Sequence, residues 1–240
     1  MKQAIIDIGS NSIRLTLYEI ENSSFKILFR EKIMAGLAGY VENGALSAEG
    51  MECACAGLLT FRSILQTLHI EHISVFATAS LRNISNTQQA LGIIRAATGY
   101  SVEVLSGESE ALLGYAGAMQ ELHLRSGAFL DIGGASTEIV TFDEGKPVDL
   151  ASFPIGSLSL YRRCVKRILP GQGSLKRLQQ EIDKTIQPGH AALAERPLLV
   201  GVGGTARAAF KLAQHYYKIS SDCHTITAEQ LNGLCSFLCS

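Results

Sequence analysis

Two segments of the chain repeat one pattern of residues that suits phosphate binding. Residues 4–15 and 128–139 each read as an apolar strand ending in Asp, a short turn and a second strand. Such turns present backbone N–H groups to an anion, glycine permits close approach and positive φ, and hydroxyls add uncharged donors. One turn could be an ordinary hairpin connection, but the repetition predicts two phosphate-binding loops. Their residues are Gly9, Ser10, Asn11 and Ser12 in the first, and Gly133, Gly134, Ala135, Ser136 and Thr137 in the second.

The register of these hairpins suggests a metal site. If each turn pivots on its two central residues, Asp7 faces Arg14 and Asp131 faces Glu138. Directly opposed residues are close neighbours, so two carboxylates repel unless a proton or cation lies between them. Magnesium prefers carboxylates together with substrate phosphates. We therefore predict that Asp131 and Glu138 hold a divalent metal, with Asp7 as a further ligand; solvent-exposed carboxylates are the alternative.

Two further segments offer groups for phosphate. Gly203, Gly204 and Thr205 lie between a predicted strand and helix, where an anion can bind the helix N-terminus. No lysine follows these glycines, so the segment is not a Walker P-loop, and a plain strand-to-helix turn is the alternative. Arg82 follows another strand and can donate two bonds to one phosphate, although it could be an ordinary surface arginine.

Two glutamates open a predicted helix, and either could act as a general base. Phosphate hydrolysis needs a group that orients and deprotonates water, and Glu108 and Glu110 are both available. Acidic residues in a first turn also stabilise the helix dipole. Spacing alone does not choose between the two residues or between the two roles.

The elements around these segments alternate as in a layered α/β protein. Cap residues are expected at Ser47, at Asn86 with Gln89 and at Thr227 with Gln230. The pattern restarts at Ala128, which predicts domains 1–123 and 124–240. Strands are predicted at 4–8, 13–20, 25–33, 73–77, 101–105, 128–132, 137–142, 147–153 and 198–202, and helices at 47–68, 86–98, 107–122, 157–168, 174–186, 205–217 and from 227 onward.

Bulk properties restrict the class of protein. The 240 residues are 47% hydrophobic, and the net charge of −1 gives no global attraction to nucleic acid or acidic lipid. No apolar run approaches the roughly 20 residues that span a bilayer. Met1 leads straight into a strand, so we expect no signal peptide and a cytoplasmic protein whose six cysteines are reduced. The last helix is still apolar where the chain stops, so we expect the natural protein to continue.

Taken together, the motifs resemble the exopolyphosphatase/guanosine pentaphosphate phosphatase (Ppx/GppA) family. The resemblance covers the chain from Ile5 to about Phe210. It rests on the segments 7–15, 77–82, 106–111, 131–138, 153–157 and 201–205, which read DIGSNSIRL, ATASLR, SGESEA, DIGGASTE, FPIGS and GVGGT.

The resemblance implies a fold and roles for individual residues. It implies two duplicated ribonuclease-H-like domains of the actin and sugar-kinase superfamily, with an interdomain cleft. Glu110 would be the base, and Arg82 would contact phosphate. Asp131 and Glu138 would be associated with magnesium, for which manganese is the alternative. The glycine turns would be phosphate-binding loops. Dimers occur among relatives, so a homodimer is one option, but the sequence does not fix the oligomeric state.

The resemblance also implies an activity, with alternatives. The expected reaction is release of terminal orthophosphate from inorganic polyphosphate, or of the 5′ γ-phosphate of guanosine pentaphosphate; the sequence does not rank these. A non-catalytic sensor of polyphosphate or of guanosine penta- and tetraphosphate, and a phosphotransferase, are the alternatives. Ala135 stands where the family usually has glycine, which could restrict φ or crowd the substrate. Arg162, Arg163, Lys166 and Arg167 are predicted on one helix, as a solvated face or, alternatively, a polyanion track.

Overall fold

The computed structural model describes residues 1–22, 24–186, 190–193 and 195–239. The chain divides into two compact units, Met1–Glu110 and Ala111–Ser240. The division precedes the predicted boundary at 123 and 124 because Ala111 and Tyr115 pack with Phe129 and Phe142 of the second unit. Residue 240, where the predicted last helix reaches the end of the chain, lies outside the described residues. The domain limits 1–123 and 124–240 stay a prediction.

The first unit is a five-stranded sheet with helices. Its core joins the alternating buried residues of the first two strands to an apolar face of the first helix, including Ile6, Leu15 and Phe61. Its elements are β1 Lys2–Ile8, β2 Ile13–Glu21, β3 Ser24–Ile33, β4 Val41–Glu42, β5 Ala45–Leu46, α1 Ala48–Thr67, β6 Ile73–Ala77, α2 Ala79–Arg82, α3 Thr87–Thr98, β7 Val102–Val104 and the start of α4 Gly107–Met119, which continues into the second unit. The strand order is β3-β2-β1-β6-β7, with β1, β2 and β3 antiparallel and β6 and β7 parallel to β1.

The second unit repeats the topology. Its strand order is β10-β9-β8-β11, which matches the order of the first four strands of the other sheet, and β11 is again parallel to the first strand. Each unit therefore carries the sheet expected of a ribonuclease-H-like domain, and the predicted α/β duplication is confirmed. The elements are β8 Gly127–Ile132, β9 Thr137–Asp143, β10 Lys146–Phe153, α5 Ser157–Cys164, α6 Gln172–Thr185, β11 Leu199–Val202, α7 Gly203–Tyr217 and α8 Ala228–Cys239.

Two of the three predicted helix caps are confirmed. The Ser47 side chain accepts a hydrogen bond from the Gly50 N–H, and Thr227 and Gln230 bond reciprocally at the start of α8. Asn86 stands at the N-cap position of α3, and its amide donates to Gln89 Oε1 at 3.4 Å. It makes no side-chain bond to the helix backbone, because its amide accepts from the Leu46 N–H and donates to the Leu46 carbonyl, both at 2.9 Å. Asn86 thus ties the start of α3 to strand β5.

The predicted basic helix is shorter than expected. Helix α5 ends at Cys164, so Lys166 and Arg167 lie beyond it, and the four basic residues do not share a helix. The guanidinium of Arg177 donates two hydrogen bonds to the Cys164 carbonyl, at 3.1 and 2.8 Å. These bonds satisfy a carbonyl that the helix leaves without an N–H partner where it ends.

Across the described parts of the chain, no helix combines the length and the apolar character needed to cross a bilayer.

Candidate active site

The first repeated turn is fixed by the segment that follows β3. The predicted register is confirmed, because Asp7 pairs with Arg14 and the turn residues 9–12 connect the two strands. The Gly9 N–H donates to the Ser12 carbonyl at 3.0 Å. The carbonyls of Ser10 and Asn11 accept hydrogen bonds from the N–H groups of residues 38 and 36, each at 2.9 Å. The carbonyls of residues 10–12 are therefore already used by the protein.

The second turn has the same internal geometry and a different support. Asp131 pairs with Glu138 as predicted, and the Gly133 N–H donates to the Ser136 carbonyl at 2.9 Å. Here the support is the N-terminus of α5. The N–H groups of residues 157, 158 and 159 donate to the carbonyls of Gly133 and Gly134 at 2.9 to 3.0 Å.

Both turns consequently offer a row of N–H donors. Within residues 1–22, 24–186, 190–193 and 195–239, the N–H groups of 10–12 and 134–136 donate no hydrogen bond to protein atoms. Consecutive N–H groups of this kind suit an anion. No residue of either turn has a positive φ, so the glycines are not required there by a left-handed backbone. Ala135 therefore causes no backbone strain, and crowding of the substrate by its methyl group stays a prediction.

Gly156 explains the segment FPIGS. A Cβ at this position would lie 2.6 Å from the backbone N of Ala135, the carbonyl O of Gly133 and the carbonyl C of Gly134. Only glycine lets the start of α5 approach the turn closely enough to bond its carbonyls. The motif alone does not reveal that Gly156 packs against the turn, because the contact joins segments that are distant in sequence.

Equivalent hydroxyls brace the ends of β1 and β8. Ser80 donates to the Ile8 carbonyl, and Thr205 donates to the Ile132 carbonyl at 2.9 Å. Each hydroxyl comes three residues after the end of its parallel strand, β6 or β11. The duplication therefore extends beyond the hairpins, and this shared spacing was the signal that could have revealed it. Thr137 is likewise engaged, with its hydroxyl donating to the Ile155 carbonyl at 2.7 Å.

The two glutamates of α4 have different surroundings. Glu110 Oε2 lies 2.8 Å from Arg82 Nη1, and their side chains are 23% and 19% exposed. The same Nη1 donates to the Leu105 carbonyl at 3.0 Å, which anchors the pair at the C-terminal end of β7. Glu108 is exposed. The Ser106 hydroxyl accepts from the Ser109 N–H and so caps the helix, which removes the need for a glutamate in that role.

The two carboxylates of the second unit lie opposite each other. Glu138 is only 2% exposed and accepts a hydrogen bond from the Ser152 hydroxyl at 2.8 Å, so it is not a solvent-exposed carboxylate. Asp131 lies against Gly203, where a Cβ would be 2.5 Å from Oδ1. Gly203 also has a φ of 80°, which requires glycine, whereas the Asp131 carboxylate could move away from an added Cβ. The Asp131 carboxylate thereby lies at the first residue of α7, where the helix dipole favours negative charge.

Asp131 and Glu138 carry the type of ligand, a carboxylate, that magnesium binds in proteins. Among the residues that the structure describes, no group of three or more His, Cys, Asp or Glu side chains is arranged to hold a metal ion. Magnesium usually uses one or two carboxylates, with the remaining positions taken by water and substrate phosphates. Asp131 and Glu138 fit that donor set. Asp7 lies at the corresponding position in the other unit, and its role as a ligand stays a prediction.

The chain belongs to the Ppx/GppA phosphatase family, whose model matches residues 16–240. An exopolyphosphatase from Cytophaga hutchinsonii ATCC 33406 is similar in structure, with 25% identity, a TM-score of 0.82, and coverage of 96% of this chain and 74% of its own. The PPX-GPPA enzyme of Aquifex aeolicus has 27% identity, a TM-score of 0.68, and coverage of 91% and 72%. The type II variant of the Aquifex aeolicus Ppx/GppA phosphatase has 26% identity, a TM-score of 0.67, and coverage of 99% and 80%.

Proposed function

We propose that this protein is a cytoplasmic hydrolase that releases terminal orthophosphate from a phosphoanhydride chain. The substrate would be inorganic polyphosphate or the 5′ triphosphate of guanosine pentaphosphate. The observation that carries the proposal is the pair of equivalent turns whose N–H groups at 10–12 and 134–136 have no acceptor within the described residues. Family membership and the similarity to an exopolyphosphatase support the same class of substrate.

Glu110 and Arg82 would act on water and phosphate in the first unit. A carboxylate oxygen of Glu110 would accept a proton as the water oxygen attacks the terminal phosphorus. The bond from that phosphorus to the bridging oxygen breaks, and the shortened chain leaves with the bridging oxygen. Arg82 keeps Glu110 in place through the 2.8 Å ion pair and brings a cation to the position where phosphate would bind. Positioning and electrostatic stabilisation supply most of the catalysis in such reactions.

The second unit would supply donors and a metal site. Asp131 and Glu138 would hold magnesium, or manganese in its place, with Asp7 proposed as a further ligand. A bound divalent ion neutralises charge on phosphate oxygens. The Ser152 hydroxyl positions Glu138 for this role, and Gly203 leaves room for the Asp131 carboxylate.

Glu138→Gln is expected to weaken the response to metal. The amide keeps the shape of the side chain and can still accept from Ser152, but it lacks the charge that a hard cation prefers. Manganese binding, followed by calorimetry, should weaken by at least about ten-fold, which is 1.4 kcal/mol. Phosphate release should lose its dependence on added magnesium. Glu144→Gln in the exposed β9–β10 turn is the control, and an unchanged metal titration for Glu138→Gln would exclude the site.

The function is tested by phosphate release from each substrate separately. The full chain is incubated with polyphosphate or guanosine pentaphosphate, with and without magnesium, and orthophosphate is measured. We expect metal-dependent release from at least one substrate without any acceptor molecule. Tight binding without release would favour the sensor, and release only in the presence of an acceptor would favour the phosphotransferase.

A further inference from the structure

A short hairpin in the first unit lies between two parts of the candidate site. Strands β4 and β5 pair Val41 with Leu46, and they pair with no other strand of the described chain. Asn43 and Gly44 form the turn between them, with φ of 49° and 79°, as in a type I′ turn. An isolated two-stranded hairpin is marginally stable in water, so contacts with neighbouring segments hold this one in place.

The hairpin is linked to the first repeated turn through the residues that precede it. The N–H groups of residues 36 and 38 donate to carbonyls of the turn 9–12, both at 2.9 Å. The Ser47 N–H donates to the Tyr40 carbonyl at 2.8 Å, which closes the base of the hairpin. Residues 36–47 therefore form one hydrogen-bonded segment that starts on the turn, and we call this segment the strap.

The strap is also linked to the segment that carries Arg82. The Asn86 amide accepts from the Leu46 N–H and donates to the Leu46 carbonyl, as a neighbouring strand would. The Ser85 N–H donates to the Gly44 carbonyl at 2.7 Å. Leu46 is only 1% exposed, so its backbone groups would be left without water if the amide were lost, which is costly. Three hydrogen bonds thus fasten residues 85 and 86 to the strap.

The fastened segment is closed back onto Arg82. The Thr87 hydroxyl lies 2.7 Å from the Leu81 carbonyl and 2.9 Å from the Ile84 carbonyl. Leu81 and Ile84 are both buried in the core of the first unit. Arg82 directly follows Leu81, so a displacement of residues 85–87 moves the backbone of Arg82. Through the 2.8 Å ion pair it also moves Glu110.

Arg82 and the first turn leave the same end of one sheet. Strands β1 and β6 are parallel neighbours that pair Ile8 with Ala77, and the turn follows Ile8 while α2 begins two residues after Ala77. The Ser80 hydroxyl donates to the Ile8 carbonyl. A phosphate chain bound by the N–H groups of the turn would need Arg82 at one particular distance, and the strap is a second connection that sets this distance.

We propose that the strap fixes Arg82 and Glu110 relative to the first phosphate-binding turn, and that Asn86 is the positioning residue that fastens it. An amide suits this role because it donates and accepts within one planar group, whereas a carboxylate only accepts. The inference rests on the proposed function, since it concerns the same phosphate site. Asn86 itself touches no reacting atom and acts through Arg82.

The test is a double-mutant cycle between Asn86 and Arg82 in the full chain. Calorimetry without added metal gives the affinity for tripolyphosphate, and phosphate release with magnesium gives kcat. Asn86→Ala should weaken tripolyphosphate binding by about three- to ten-fold and lower kcat by at least about ten-fold. Arg82→Gln should weaken binding by at least about ten-fold, because a charge-assisted bond to phosphate is lost. Adding Asn86→Ala to Arg82→Gln should change the affinity by less than about two-fold, because the two residues act on one path.

Gly44→Ala disturbs the strap from the hairpin side and leaves the Arg82 segment unaltered. An added Cβ meets no heavy atom within 4 Å, so the effect is confined to backbone strain at a φ of 79°. This variant should weaken tripolyphosphate binding and lower kcat, as Asn86→Ala does. Because the change lies at an exposed turn, it tests the strap even if Asn86→Ala does not fold.

Thr98→Val, at the opposite end of α3, is the matched control. The buried Thr98 hydroxyl donates to the Ile94 carbonyl and accepts from the Tyr100 N–H, so this variant also loses two hydrogen bonds. It should lower the thermal unfolding midpoint while leaving tripolyphosphate affinity and kcat unchanged. Equal functional losses in Thr98→Val would overturn the proposal, because the effect of Asn86→Ala would then be one of stability alone.

The remaining outcomes separate the strap from the proposed function. If Asn86→Ala binds and releases phosphate as the wild type does, or keeps its full effect in the Arg82→Gln protein, the strap is overturned and the hydrolase stands. If the binding cycle is as expected but the wild type releases no phosphate, the hydrolase is overturned and the strap stands. A wild type that does not bind tripolyphosphate would overturn both.

Discussion

Glu110→Gln is expected to lower phosphate release by about 10²–10⁴-fold, the range that a positioned general base contributes. The amide is nearly isosteric and can still accept a hydrogen bond from Arg82, whose Nη1 lies 2.8 Å from the carboxylate. It cannot take a proton from water at neutral pH. The loss should therefore appear in kcat, with little change in the substrate concentration that gives half-maximal rate. The measurement is orthophosphate release at saturating polyphosphate and, separately, at saturating guanosine pentaphosphate.

Glu108→Gln is the matched control, because Glu108 lies in the same turn of α4 and is exposed. It should release phosphate at the rate of the wild type. Equal rates of phosphate release for Glu110→Gln and the wild type would show that Glu110 is not the general base. A large loss of phosphate release in Glu108→Gln would instead assign the role of general base to Glu108. Thermal unfolding midpoints of both variants, expected to lie close to the wild-type value, separate a catalytic effect from a folding defect.

Gly156→Ala is expected to destabilise the protein by about 1–3 kcal/mol, the usual cost of overpacking. The added methyl group would lie 2.6 Å from three backbone atoms of residues 133–135, and backbone atoms move less easily than the end of a side chain. The φ of −151° at Gly156 is an ordinary extended value, so the penalty is steric. Because the displaced turn holds the N–H groups of 134–136, phosphate release should fall together with the unfolding midpoint.

The control is Gly117→Ala in α4, where an added Cβ meets no heavy atom within 4 Å. Alanine favours a helix over glycine by roughly 0.5–1 kcal/mol, so this variant should be slightly more stable and equally active. A Gly156→Ala protein that unfolds and releases phosphate as the wild type does would show that α5 can shift without disturbing the turn. The support inferred for the second turn would then be wrong.

Features with local causes could be predicted from the sequence. All nine predicted strands are present, and the pairing of Asp7 with Arg14 and of Asp131 with Glu138 follows from the length of each turn. Register is set by turn length and by alternation of side chains over a few residues, so distant parts of the chain hardly influence it. The caps at Ser47 and at Thr227 with Gln230 belong to the same local class.

Features that failed depend on partners far away in sequence. Asn86 has the residue type of a helix cap, but Leu46 offers its amide two backbone hydrogen bonds at once. Helix α5 was predicted to reach 168 because its pattern stays favourable, and it ends where Arg177 reaches the Cys164 carbonyl. In both cases a contact between separate elements overrides the structure that the neighbouring residues favour. The partner lies too far away in the sequence for the local pattern to reveal it.

The sequence by itself determined two copies of a strand–turn–strand unit that place Asp131 opposite Glu138 and carry donors in each turn. Only the tertiary structure decided which of those donors remain available. The hydroxyls of Thr137 and Thr205 bond to carbonyls of neighbouring segments, whereas N–H groups of the turns are left without an acceptor among the described residues. It also gave Glu110 and Glu108 different surroundings, by bringing Arg82 from 28 positions earlier in the chain to within 2.8 Å of the Glu110 carboxylate. A hydrogen bond depends on distance and direction in space, and the folded sheet sets both.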